Sequence, residues 1–175
     1  MRAVRIFHLR EITVSLIQKI QADGKNTVGF VVKNKYLCYN DSMERKDANQ
    51  LSPLSLAFLG DGVFTLFIRE YLINNHDAKS GALHLWANKF VCAKAQAKMI
   101  EVLLDELSDE EKDIARRCRN AHNTSKAKNA GLGEYKKATA LEGVLGYLKL
   151  VGDDERLNYL MQKCIEIIEK GEENE

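Results

Sequence analysis

The chain has 175 residues, 45% of them hydrophobic and 29% charged, with a single proline and a formal net charge of +1 at pH 7. That length suits one domain with a sizeable core, and the composition is that of a helix-rich globular protein and not of a disordered chain. The small net charge excludes a global electrostatic case for binding nucleic acid or membrane, so any such case must rest on how charge is distributed along the chain.

In chain order, "VRIFHLREITVSLIQKI" predicts a short amphipathic helix, and "TVGFVVKNKYLCYN" predicts two β-prone runs around a "KNK" turn. From "MERKDANQLSP" onward the pattern is helical throughout. Residues 1–42 are therefore read as an extension of mixed helix and strand character, or as an upstream start of translation, and residues 43–175 as the functional domain. After Pro53, which suits a helix's first turn, "LSLAFLGDGVFTLFIREYLI" is apolar on nearly every side and predicts a central helix. A loop, "NNHDAKSGA", leads into "LHLWANKFVCAKAQAKMIEVLLDEL", a helical pattern expected to break near Phe90. In "SDEEKDIARRCRN", Ser108 stands three residues before Glu111, the capping-box spacing that satisfies the free N–H groups of a helix start. The polar "AHNTSKAKNAGLGE" is a loop, and "YKKATALEGVLGYLKLVG" returns to helix. In the last helix Leu157, Leu160, Met161, Cys164, Ile165 and Ile168 share one face, ahead of the acidic tail.

Four scattered cysteines with no CxxC pair argue against zinc and against a disulfide framework, and fit reduced thiols in a cytosol. No two of the four histidines stand at a metal-ligand spacing on one predicted helix. The longest apolar stretches are interrupted by Asp61, Arg69 or Lys149 well before the roughly 20 residues a membrane span needs. Tyr71, Trp86 and Tyr147 are assigned to the core or to a subunit interface, since aromatic side chains dominate burial energetics.

Two carboxylates lack partners. Asp61 lies inside an apolar run, and its helical neighbours Ala57, Phe58, Phe64 and Thr65 carry no positive charge. Glu142 has Ala138, Thr139, Leu145 and Gly146 at the same spacings. If Gly60, Gly62, Gly143 and Gly146 let the two helices approach, the carboxylates would meet and repel unless a cation lay between them. Oxygen ligands without histidine or thiolate point to magnesium or manganese. Two plainer readings stay open: Asp61 as an N-cap at a helix break, and Glu142 paired with Lys137, Lys149 or an arginine from elsewhere.

From Lys112 to Lys137 there are eight basic residues against two acidic ones. Asn120, Asn123, Thr124, Ser125 and Tyr135 add hydrogen-bonding groups of the kind that contact phosphate and 2′-hydroxyl oxygens of duplex RNA. Aromatic platforms for stacking single-stranded bases are nearly absent. A solvated loop whose charge aids solubility is the plainer alternative.

Taken in order, "LAFLGDGVF", "VCAKAQAKMIEVLL", "RRCRNAHNTSKAKN" and "YKKATALEGVLGYLKL" resemble the blocks of ribonuclease III, specifically of the mini-ribonuclease III family of bacteria, over roughly residues 49–170. The resemblance implies an all-α endonuclease domain that forms a homodimer, with Asp61 and Glu142 as acidic residues of a magnesium site that manganese can also fill. It implies hydrolysis of both strands of double-stranded RNA to 5′-phosphate and 3′-hydroxyl ends. The implied substrate is the base-paired ends of the large-subunit (23S) ribosomal RNA precursor in the cytoplasm, assisted by a large-subunit ribosomal protein, with no membrane partner. Arg116, Arg119, Asn120, Lys126, Lys128 and Lys136 are the candidate RNA contacts.

The chain departs from the full ribonuclease III pattern at two positions. Ala57 stands where that pattern has a glutamate and Thr139 where it has an aspartate, which halves the acidic cluster in the manner of the mini-ribonuclease subfamily. The sequence also leaves no room for the duplex-RNA-binding domain that larger members append, so affinity is expected from the basic segment and the dimer surface, with steep salt dependence. The rival readings are a catalytically inactive duplex-RNA-binding ribosome-assembly factor, favoured by the missing acids, and a helical interaction protein whose basic segment meets an acidic partner.

Overall fold

The computed structural model describes residues 42–121 and 131–172. The expected first helix and β-prone runs lie outside these residues, as do Lys126 and Lys128. Seven helices occur among the described residues: α1 (Arg45–Ala48), α2 (Pro53–Asn75), α3 (Ser80–Val91), α4 (Ala93–Leu103), α5 (Asp109–Arg119), α6 (Leu132–Val151) and α7 (Asp154–Glu172). The all-α reading holds, and none of these helices is long and apolar enough to cross a membrane.

Local signals set several of the helix ends. The Ser52 hydroxyl accepts the Ser55 N–H at 3.0 Å, with Pro53 in the first turn of α2. The Ser108–Glu111 capping box forms as expected: the Glu111 N–H donates to Ser108 Oγ at 3.2 Å and the Ser108 N–H to Glu111 Oε2 at 2.8 Å. The break expected near Phe90 falls two residues later at Cys92, whose extended backbone separates α3 from α4. Gly152 ends α6 in the left-handed region at φ 73°, where a side chain is disfavoured.

Helix α6 is the centre of the domain and packs against α2, α4 and α5. Leu141, Val144, Leu145, Tyr147 and Leu148 are buried on several sides of it, which suits a helix surrounded by others. The face of α7 read from the sequence is its buried face, from Leu157 to Ile168. Arg156, from the first turn of α7, grips the buried Glu111 carboxylate with Nε and Nη2 at 3.0 and 2.9 Å, tying α7 to the start of α5. The Arg156 pairing and the Ser108 N–H outweigh burial and hold the Glu111 carboxyl below its usual range.

Glycine decides where the helices touch. A β-carbon at Gly60 of α2 would collide with the Glu142 carbonyl oxygen and stand 2.8 Å from the Gly146 nitrogen of α6. One at Gly146 would collide with the Leu56 carbonyl oxygen and stand 2.9 Å from the Gly60 nitrogen. The two helices thus cross backbone to backbone, closer than side chains would permit. Gly143 instead makes room for the Cys118 thiol of α5, and Gly62 faces open space, so the expectation that all four glycines serve one crossing holds only for Gly60 and Gly146.

Candidate active site

The Gly60–Gly146 crossing brings the two lone carboxylates together. Asp61 follows Gly60 on α2, and Glu142 lies one helical turn before Gly146 on α6. Helix α2 runs unbroken through Gly60, Asp61 and Gly62, so Asp61 is no N-cap at a break. The two lysines offered as partners of Glu142 are engaged elsewhere, Lys137 with Glu101 and Lys149 with Asp154 at 3.0 Å, and among the described residues no arginine forms an ion pair with it.

The two carboxylates occupy different surroundings. Asp61 is exposed in the single chain, and the Thr65 hydroxyl donates to its Oδ1 at 3.3 Å. The apolar run around Asp61 therefore does not bury it. The run around it is apolar on two faces: Leu56, Phe64 and Ile68 enter the core, whereas Phe58 (84% exposed) and Leu66 (58% exposed) do not. Glu142 is half-buried, and its carboxyl is pushed up to about 7, first by burial and then by the negative charge of Asp61. The Gln96 side chain opposes that shift as a donor, though its buried Nε2 makes no hydrogen bond of ordinary geometry.

Neither missing acid is replaced. Ala57 is buried, and the buried Thr139 donates its hydroxyl to the Tyr135 carbonyl of its own helix at 3.0 Å. Among the described residues no group of three or more metal-ligating side chains forms. A divalent cation would therefore have two carboxylates and otherwise water. That donor set suits magnesium or manganese, which retain water ligands, better than zinc. Its positive charge would relieve the repulsion that holds the Glu142 carboxyl up, and the unsatisfied Gln96 amide beside it is a further sign that the site is incomplete without a ligand. The residues present thus fit a divalent cation.

The candidate RNA contacts scatter more widely. Arg116 and Arg119 line, with Asn120, Lys112 and Lys137, a groove of about 400 Å³ between α4, α5 and α6. Arg116 is paired with Asp113 at 2.6 Å, both largely exposed. Lys136 is exposed near the start of α6. The groove adds Lys112 and Lys137 to the candidates. Both belong to the basic segment visible in the sequence, but only the packing of α5 beside α6 puts them in one groove. Gln96 was missed as well, although its signal was present: it is a lone polar residue on the stripe that continues through Met99, Ile100 and Leu103.

A family model described as the ribonuclease III domain matches residues 54–153, which span both carboxylates. The chain is 42% identical to a mini-ribonuclease 3 of Brevibacillus brevis over 124 residues, covering 71% of this chain and 92% of that protein. It is 41% identical to a mini-ribonuclease 3 of Streptococcus pneumoniae over 125 residues, covering 70% and 98%. A crystal structure of a Fusobacterium nucleatum protein superposes with a TM-score of 0.62 at 31% identity, covering 72% of this chain and 98% of that one.

Proposed function

This chain belongs to the ribonuclease III family, in its mini-ribonuclease III branch, and from that premise we propose that it is a magnesium-dependent endoribonuclease cutting double-stranded RNA. The observation that carries the reading is the meeting of Asp61 and Glu142 at a crossing held by Gly60 and Gly146. These two carboxylates would hold the cation, with manganese as a substitute. A cation held there would supply an activated water and would neutralise charge on the scissile phosphate, so that hydrolysis would give a 5′-phosphate and a 3′-hydroxyl. Thr65 steadies Asp61 through its hydroxyl, and the half-burial of Glu142 limits the water competing for its carboxylate.

The catalytic domain is residues 43–175, with residues 1–42 an extension to it. Arg116, Arg119, Asn120, Lys126, Lys128 and Lys136 contact the phosphate backbone, joined in the groove by Lys112 and Lys137. A homodimer sets two sites across one duplex, one for each strand. The exposed Phe58, Leu66 and Ile73 on α2 support it, because a second copy would cover apolar surface on the helix that carries Asp61. The substrate is the base-paired end of the 23S ribosomal RNA precursor in the cytoplasm, presented with a large-subunit ribosomal protein.

The test compares cleavage of a long duplex RNA by the parent and by Asp61→Asn, with and without magnesium, at equal RNA occupancy. The parent is expected to cut only with the cation. The variant is expected to bind but to cut on the order of 10³-fold more slowly, equivalent to ~4 kcal/mol of lost transition-state stabilisation. A folded parent that binds duplex RNA without cutting it in magnesium or manganese would instead identify an inactive RNA-binding assembly factor, consistent with Ala57 and Thr139 in place of acids.

A further inference from the structure

Gln96 is 2% exposed on α4, and its Nε2 is fully buried without a hydrogen-bond partner. Its surroundings on that helix are apolar: Met99, Ile100 and Leu103 are buried on the same side. A methionine or leucine would fill this volume without stranding a donor, and a buried N–H left unpaired weakens the fold. Such an orphan calls for an explanation.

Helix α4 packs on α6, and the Gln96 amide acts on the Glu142 carboxylate as a donor while standing outside ordinary hydrogen-bond geometry. The opposite amide orientation would set a carbonyl oxygen toward a carboxylate, which is repulsive. We infer that Gln96 is a positioning residue of the divalent-cation site: its orphaned Nε2–H donates to the Glu142 carboxylate when a bound cation draws that carboxylate into its ligating orientation. The inference rests on reading Asp61 and Glu142 as the cation's ligands. Gln96 touches neither the cation nor RNA in this account. It fixes the ligand, the service that outer-shell hydrogen bonds perform in other metal sites.

The experiment titrates manganese alone into the metal-free full-length chain, without RNA, and follows the free ion by electron paramagnetic resonance. The parent, Gln96→Met, Gln96→Leu and Asp61→Asn are compared, and thermal midpoints are measured in chelator. Removal of the donor is expected to weaken manganese binding by about 10- to 100-fold, while the metal-free midpoint of Gln96→Met or Gln96→Leu stays at or above that of the parent. A purely structural role would not move affinity and stability in these opposed directions. Unchanged manganese affinity in a folded variant overturns the inference, as does a variant pair that fails to fold or loses stability in the metal-free state. A parent that binds no manganese, or an Asp61→Asn protein that binds it equally well, refutes the cation-site reading itself and this inference with it.

Discussion

Replacing Glu142 with glutamine should stabilise the metal-free protein by an amount that depends on pH. The Glu142 carboxyl rises from its ordinary 4.5 to about 7 in the fold, first through burial and then through the charge of Asp61. Between those values the folded chain retains a proton that the unfolded chain has released, so stability is greatest below 4.5, falls as the pH rises, and levels off above about 7. Each pH unit is worth about 1.4 kcal/mol, so the ionised carboxylate costs the folded state ~3 kcal/mol at pH 8. Glutamine carries no such charge. Thermal melts in chelator from pH 4.5 to 8.5 should therefore show Glu142→Gln gaining on the parent as pH rises, reaching a difference of roughly 10 °C at the alkaline end. Saturating manganese at pH 8 should raise the parent's midpoint toward that of the variant, while leaving the variant unmoved. Melting curves that run parallel at every pH would refute the argument, because they would mean that Glu142 ionises in the fold as it does in the unfolded chain.

The helix crossing and the apolar face of α2 carry further expectations. Gly146→Ala should cost about 3 kcal/mol by chemical denaturation, since its β-carbon would collide with the Leu56 carbonyl oxygen and only a separation of α2 from α6 can accommodate it. Gly62→Ala, which meets nothing within 4 Å, should instead hold stability or raise it by up to about 1 kcal/mol through helix propensity; equal losses at the two positions would count against a backbone-to-backbone crossing. Phe58→Arg should halve the particle mass measured by light scattering while leaving the helical circular dichroism unchanged, because this side chain is 84% exposed in the single chain. A parent already of single-chain mass would dispose of the dimer.

Much of this molecule is written locally. The helix start at Pro53, the capping at Ser108, the buried face of α7 and the break between α3 and α4 were legible because each depends on groups within a few residues of one another. The lone status of Asp61 and Glu142 was legible for the same reason: a helix shows its i, i+3 and i, i+4 neighbours directly in the sequence. What covers a helix face is decided by other helices, so the apolar run around Asp61 gave no means of separating Leu56, which enters the core, from Phe58, which does not. Only the packing of α6 against α2 chose Gly60 and Gly146 as the crossing and left Gly62 open, and only the packing of α4 on α6 sent Lys137 to Glu101 and set the Gln96 amide beside Glu142. The sequence by itself determined the helices and supplied two unpaired acids. The tertiary structure decided that those acids meet, because that outcome depends on which two backbones can approach without a side chain between them.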